Sequence, residues 1–259
     1  MKIPLSLFVL LLGLSSTIAQ DKTFPEDISK WVTTTASFAG SHPMWFAANR
    51  VGAIWEVYKD GKSIKVRRYD KRRNNLEIKF KDGILVSKNM GEFGASVMWQ
   101  PTTGAAVEIS KYPVKHFFEF SGNLYAFSGI AHMGTNIGQV LRFSREKDTW
   151  KIDLLCKLVD EPQLVVIESE KTCLILTYSG LCRVSTDGWI QLLVVSAEWE
   201  GLHPRSLVIG DDGFAYVGFS QRVAKVHLIS GDTTYLVPYT EIFDEDLKLD
   251  SKLISEVGG

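Results

Sequence analysis

Between Gly201 and Pro238 the chain alternates short apolar runs with pairs of turn-forming residues: GLHPRSLVIGDDGFAYVGFSQRVAKVHLISGDTTYLVP. A Gly-x-His-Pro entry leads to an apolar strand, an Asp-Asp-Gly turn, two further strands, a Gly-Asp turn and a last strand. Runs this short, rich in β-branched and aromatic residues and bounded by Gly and Asp, predict strands joined by tight turns. Four antiparallel strands closing within about forty residues predict one blade of a β-propeller.

The same pattern recurs upstream. A unit opening at Pro162 predicts strands at Leu164–Ile167, Thr172–Thr177, Leu181–Val184 and Trp189–Val195, with an Asp187-Gly188 hairpin turn. A unit opening at Pro113 predicts His116–Phe120, Leu124–Ser128, Gln139–Ser144 and Trp150–Cys156. An early unit opens at Pro43, with strands near Met44–Ala48, Ala53–Tyr58, Ser63–Asp70 and Leu76–Phe80 and turns at Asp60-Gly61 and Asn74-Asn75. Between Phe80 and Pro113 only Ala95–Gln100 and Ala105–Ile109 read as strands, half a blade. Thr33–Phe38 is a β-rich stretch suited to adding a strand to the last blade and closing the ring. The expectation is an all-β fold, a β-propeller of about five four-stranded blades with one blade degenerate.

The N-terminus adds an address. Lys2, an apolar run from Ile3 to Leu14 and the small residues before Ala19 predict a secretory signal peptide over residues 1–19. A single propeller domain then covers 20–238, and 239–259 forms an acidic C-terminal tail. The apolar run falls short of the roughly 20 residues that span a bilayer, and no later stretch is longer. The expected product is therefore exported, periplasmic or extracellular, with no membrane insertion after cleavage. The absence of an Asn-x-Ser/Thr sequon leans toward the periplasm. A net charge of −1 argues against nucleic acid as the partner. The basic cluster Lys65, Arg67, Arg68, Lys71, Arg72 and Arg73 reads as a solvated strand edge. Three cysteines, Cys156, Cys173 and Cys182, are an odd count for an exported chain. In a tight hairpin Cys182 would face Thr177, so buried thiols are expected rather than a disulfide. Packing alone must then hold the fold, and the chain is expected to be a monomer.

A Pro, an apolar strand, an Asp-Asp-Gly-type turn and an aromatic strand resemble the NHL-repeat, gluconolactonase-like and strictosidine-synthase-like propellers. The resemblance is best over Leu202–Leu236, fair over Pro162–Val195 and poor before Pro113. It implies the propeller shape, and the same blade serves enzymes and plain binding scaffolds. Gluconolactonase-like enzymes hold a central metal with acids and amides from different blades. Here Glu119, Glu168 and Asn49 are the nearest candidates, and no set matches that pattern residue by residue. No catalytic residue is assigned.

Propeller geometry puts the connections between blades on the same face as the turns joining second and third strands. Turns such as Asp211-Asp212-Gly213 lie on the opposite face and read as turn chemistry. On the shared face His42 and His203 occupy equivalent repeat positions. His132 and Asn136 lie in SGIAHMGTNIG, read as a long glycine-rich loop. Glu198, Trp199 and Glu200 precede His203, and Asp160 and Glu161 precede Pro162. Trp55, Trp150 and Trp189 read as packing between blades. Trp199, between two acids, reads either as an exposed interface anchor or as a Trp tucked over a blade junction. The candidate binding rim is therefore His42, His132, Asn136, Glu198, Trp199, Glu200 and His203. Three imidazoles on one face could alternatively hold a metal or exchange protons. Two functions follow. One is a secreted or periplasmic non-catalytic protein that binds a protein partner with this rim, for example an immunity-type inhibitor of an exported toxin. That reading needs no cofactor. The alternative is a gluconolactonase-like metal-dependent hydrolase or lactonase with a divalent ion in the channel.

Overall fold

The computed structural model describes residues 26–34, 54–69, 76–89, 93–147, 149–202 and 204–238. Within them the chain is all-β apart from single turns of 3-10 helix. The signal segment, His42, Asn49, His203, the strand expected at Met44–Ala48 and the tail 239–259 lie outside the described residues.

Five antiparallel sheets follow one another. After β1 (Val32–Thr34), the first sheet pairs β2 (Trp55–Asp60) with β3 (Ser63–Arg68). The second runs β4 (Glu77–Phe80), β5 (Gly83–Asn89), β6 (Ala95–Pro101) and β7 (Val107–Ser110). The third runs β8 (Val114–Phe120), β9 (Asn123–His132), β10 (Thr135–Glu146) and β11 (Thr149–Leu158). The fourth runs β12 (Pro162–Ile167), β13 (Thr172–Thr177), β14 (Leu181–Ser185) and β15 (Ile190–Val194). The fifth runs β16 (Ser206–Ile209), β17 (Phe214–Phe219), β18 (Arg222–His227) and β19 (Thr233–Val237). Its outer strand β19 also pairs with β1, Val32 opposite Val237. The N-terminal stretch thus covers an edge that would otherwise be open.

The third, fourth and fifth sheets bury both faces, which explains why their middle strands are continuously apolar, while β2, β3, β5 and β6 alternate. In β13, Leu174 and Leu176 pack toward Ala215, Val217 and Phe219 of the fifth sheet. The intervening Cys173 and Ile175 pack toward Phe118, Tyr125 and Phe127 of the third. Leu85, Val97 and Trp99 join the second sheet to Phe117, Leu141 and Phe143 of the third. The ring turns back on itself where Val57 and Val66 of the first sheet meet Tyr216 and Val223 of the fifth. Polar contacts reinforce that seam: Val57 N donates to Ser206 Oγ at 2.8 Å, and Ile54 bridges Ser220. Consecutive antiparallel meanders, four-stranded apart from the two described strands of the first, with the last meeting the first, define a β-propeller.

Four expectations change. Leu76–Phe80 does not end the first blade; as β4 it opens the second sheet, which is complete rather than half a blade. The strand missed there is β5, GILVSKN, whose buried row includes the polar Ser87 and so broke the apolar pattern. Lys59 meets Asp211 at 2.5 Å, so the Asp60-Gly61 turn lies at the same end as the Asp211-Asp212-Gly213 turn. SGIAHMGTNIG is not a loop: β9 and β10 extend through it as a long hairpin, His132 opposite Thr135. Met133 and Gly134 close it with φ of 47° and 80°, the paired positive values of a tight type I′ turn. Cys182 faces Ile175 rather than Thr177, and all three cysteines are free and buried.

Candidate functional site

The end of the propeller carrying the connections between sheets and the β9–β10 turn forms a mouth built on three buried polar centres. The first joins the third and fourth sheets. Glu161, just before β12, is 6% exposed. Its Oε1 accepts from Ala131 N at 3.1 Å and from Lys115 Nζ of β8, and Gln163 Nε2 donates to Oε2. Glu161 N in turn donates to Asn136 Oδ1 at 2.8 Å. One carboxylate therefore ties the hairpin tip to the next sheet, and charge pairing offsets the cost of burying it.

The second centre is Asp160, 3% exposed. Its Oδ2 accepts from Ser179 N at 3.0 Å and from Ser179 Oγ, fixing the β13–β14 turn. The third lies over the fifth sheet. Arg222, fully buried, donates from Nη1 to Glu198 Oε2 at 3.1 Å and sits over the Tyr235 ring at 5.8 Å. Tyr235 Oη accepts from Glu198 N at 3.3 Å. Burial pulls the Arg222 guanidinium down to about 10 against the opposing pull of Glu198 and Tyr235, while burial also drives the Tyr235 phenol up to about 12. Between these centres the half-buried Tyr178 has its phenol raised, first by desolvation and then by the negative charges of Glu200, Glu161 and Asp160. Four carboxylates thus line the mouth, two of them neutralised by Lys115 and Arg222.

The rim residues expected from sequence divide. Asn136, Glu198 and Glu200 stand at this mouth, and His132 stands exposed at the hairpin tip. His42 and His203 lie outside the described residues. Trp199 is not exposed: at 0% exposure it packs edge-on to Phe219, centroids 6.3 Å apart, within the core that joins the fourth and fifth sheets. The turn of residues 197–202 folds the indole inward, leaving Glu200 exposed and Glu198 on the buried Arg222, so the tucked reading is the one realised. Trp189 moves the other way and is 57% exposed. Lys115, Gln163 and Arg222 were missed, since each sits inside a strand and carries no spacing that marks it. The signal available was a charged or amide residue at an otherwise buried strand position.

The acids named for a channel metal do not converge. Glu168 forms a two-pronged pair with Arg183, Nε–Oε2 and Nη2–Oε1 both 2.6 Å. Arg183 Nη2 also donates to Leu228 O of the fifth sheet, which places Glu168 at a junction between sheets. Glu119 is exposed on β8. Among the described residues no group of three or more His, Cys, Asp and Glu side chains is arranged to hold a metal ion, and no helix is long and apolar enough to cross a membrane.

No family model matches this chain, and no curated protein matches it. Among solved structures it is similar to virginiamycin B lyase from Staphylococcus aureus, with 11% identity and a TM-score of 0.41 over 80% of this chain and 73% of the lyase. A streptogramin B lyase structure shares 12% identity and a TM-score of 0.40, over 79% of this chain and 73% of that one. A gluconolactonase from Xanthomonas campestris shares 11% identity with a TM-score of 0.36, over 70% of this chain. This chain spans only 64% of that lactonase's length. The propeller follows from the sheet order and the cores between sheets.

Proposed function

We propose that this is an exported, non-catalytic binding protein that engages a protein partner with the mouth of its propeller. The observation that carries this reading is the state of the mouth's buried charges. Glu161 and Glu198 are tied to Lys115 and Arg222, and Asp160 to Ser179. These groups hold the loops rather than reach for a substrate. What they hold outward is His132 and Glu200 on a rigid base, which suits recognition of a surface. Capping an exported toxin is the concrete form of such a role, and a basic group on the partner would complement the exposed Glu200. The pairing of Glu168 with Arg183 removes one acid from the lactonase alternative and makes that reading the weaker one.

The test is affinity capture of proteins from the envelope and medium of the source cells, using residues 20–259 as bait. A captured partner should be lost with Glu200→Lys combined with His132→Glu and retained with Asp211→Ala on the opposite face. Loss with Asp211→Ala and retention with the mouth variant would overturn the proposal.

A further inference from the structure

A cleft of about 450 Å³ lies beside the mouth, between the β7–β8 connection, the β9–β10 hairpin and the end of β11. It goes beyond the partner surface proposed above. Its position on the third sheet follows from register. Ser128 pairs with Gln139, and Gln139 pairs with Lys157, so these side chains form one row across three strands on one face. The next row on that face holds Ala126 and Leu141, which belong to the core shared with the second sheet. Core packing would continue that face with apolar residues. A hydroxyl, an amide and an ammonium replace them, and such a local break in pattern is characteristic of sites.

The innermost member of the row is the informative one. Ser128 is 1% exposed, lines the cleft, and has no hydrogen-bond partner for its Oγ among the described residues. The fold does satisfy a buried hydroxyl nearby: Ser87, 5% exposed, donates to Val114 O at 2.7 Å. An unpaired buried hydroxyl calls for an explanation, and a missing ligand is one. Around it the walls are apolar and open. Tyr112, Ile137 and Val159 are 40%, 59% and 62% exposed, unusual for groups this large on one small surface. A mostly apolar concavity of this volume with a few convergent polar groups has the form of a small-molecule site.

We propose that this cleft binds a small amphipathic carboxylate. Its ring or branched body lies against Tyr112, Ile137 and Val159. Its carboxylate meets the Lys157 ammonium at the outer end of the row, and a polar atom of the body meets Ser128 Oγ at the inner end. Gln139 stands between them as an amide that can serve either.

The probe is indole-3-acetate, compared with the neutral indole-3-acetamide, by calorimetry and saturation-transfer NMR on residues 20–259. Saturable binding of one equivalent of the acid is expected. Lys157→Gln should weaken the acid about tenfold and leave the amide within about twofold, because only the acid pairs with the ammonium. Ser128→Ala should weaken both about fivefold, the loss of one hydrogen bond. Ile137→Asp, at an exposed position that leaves the fold's thermal melt unchanged, should abolish both. An absence of saturable binding up to millimolar probe would overturn the site and leave Ser128 to an ordered water. Equal binding by wild type and Ile137→Asp would likewise overturn it, showing adsorption elsewhere. Partner capture by the mouth is read separately, so failure of one leaves the other standing.

Discussion

Trp199→Ala separates a structural from a recognition role for the residue that the sequence placed at the rim. The indole is fully buried among Leu174, Leu181, Leu202 and Phe219. Truncating a buried Trp to Ala costs about 3–5 kcal/mol, the transfer free energy of the ring plus the cavity left behind. Two rigid sheets line this cavity, so little collapse can refill it, and the upper part of that range is expected. For a domain of this size each kcal/mol moves the melting temperature by about 2–4 °C, giving a fall of about 10 °C or more. Trp199→Phe keeps an aromatic in the slot and should lose about 1–2 kcal/mol. Guanidinium melts of the three proteins measure this, provided the slope of the transition stays constant and only its midpoint moves. A loss below about 1 kcal/mol for Trp199→Ala would refute the burial argument. If partner binding fell at the same time, the indole would be an exposed anchor after all.

Other consequences are equally direct. A Cβ at Gly138 would collide with the Asp160 carbonyl and press on Pro162 at 2.8 Å, so Gly138→Ala should destabilise by about 2–4 kcal/mol in a urea melt by forcing apart the third and fourth sheets. Burial raises the Cys156 and Cys173 thiols to about 11 and about 12, and the Cys182 thiol higher still. None should react with Ellman's reagent at pH 8 until guanidinium exposes all three. Desolvation raises the Glu168 carboxyl, but the hydrogen bonds and charge of Arg183 outweigh it and leave the group below its usual 4.5. Its pairing therefore stabilises fully above pH 4.5 and fades as pH falls through the lower folded value. Glu168→Gln should cost about 1.5–3 kcal/mol at pH 7, and the gap to wild type should narrow toward pH 3 in acid melts.

Much of this fold is legible where each strand repeats the same local chemistry. The fourth and fifth sheets match the sequence strand for strand, because Gly and Asp punctuate apolar runs that are buried on both faces. The early sheets are less legible. Ser87 interrupts the buried row of β5, and without that strand β4 attaches itself to the wrong blade. The β9–β10 hairpin misleads for a different reason. Gly129 and Gly138 look like loop residues, yet they pair across the ladder because a side chain at either would strike Ile137, Asp160 or Pro162. Glycine there serves close approach between sheets rather than loop freedom. The mouth was found from topology alone, since connections of one kind must share a face. Its inner charges were not, because Lys115, Gln163 and Arg222 acquire meaning only when neighbouring sheets bring Glu161 and Glu198 to them.

The most direct test of the mouth as the working surface is hydroxyl-radical footprinting of the protein bound to its captured partner. Met133, 89% exposed at the hairpin tip, is a sensitive reporter on the mouth, and Trp189, 57% exposed beside the Asp187-Gly188 turn, reports on the opposite end. Binding through the mouth predicts strong protection of Met133, His132 and Tyr178 with Trp189 unchanged. Protection of Trp189 with Met133 still fully oxidised would contradict it.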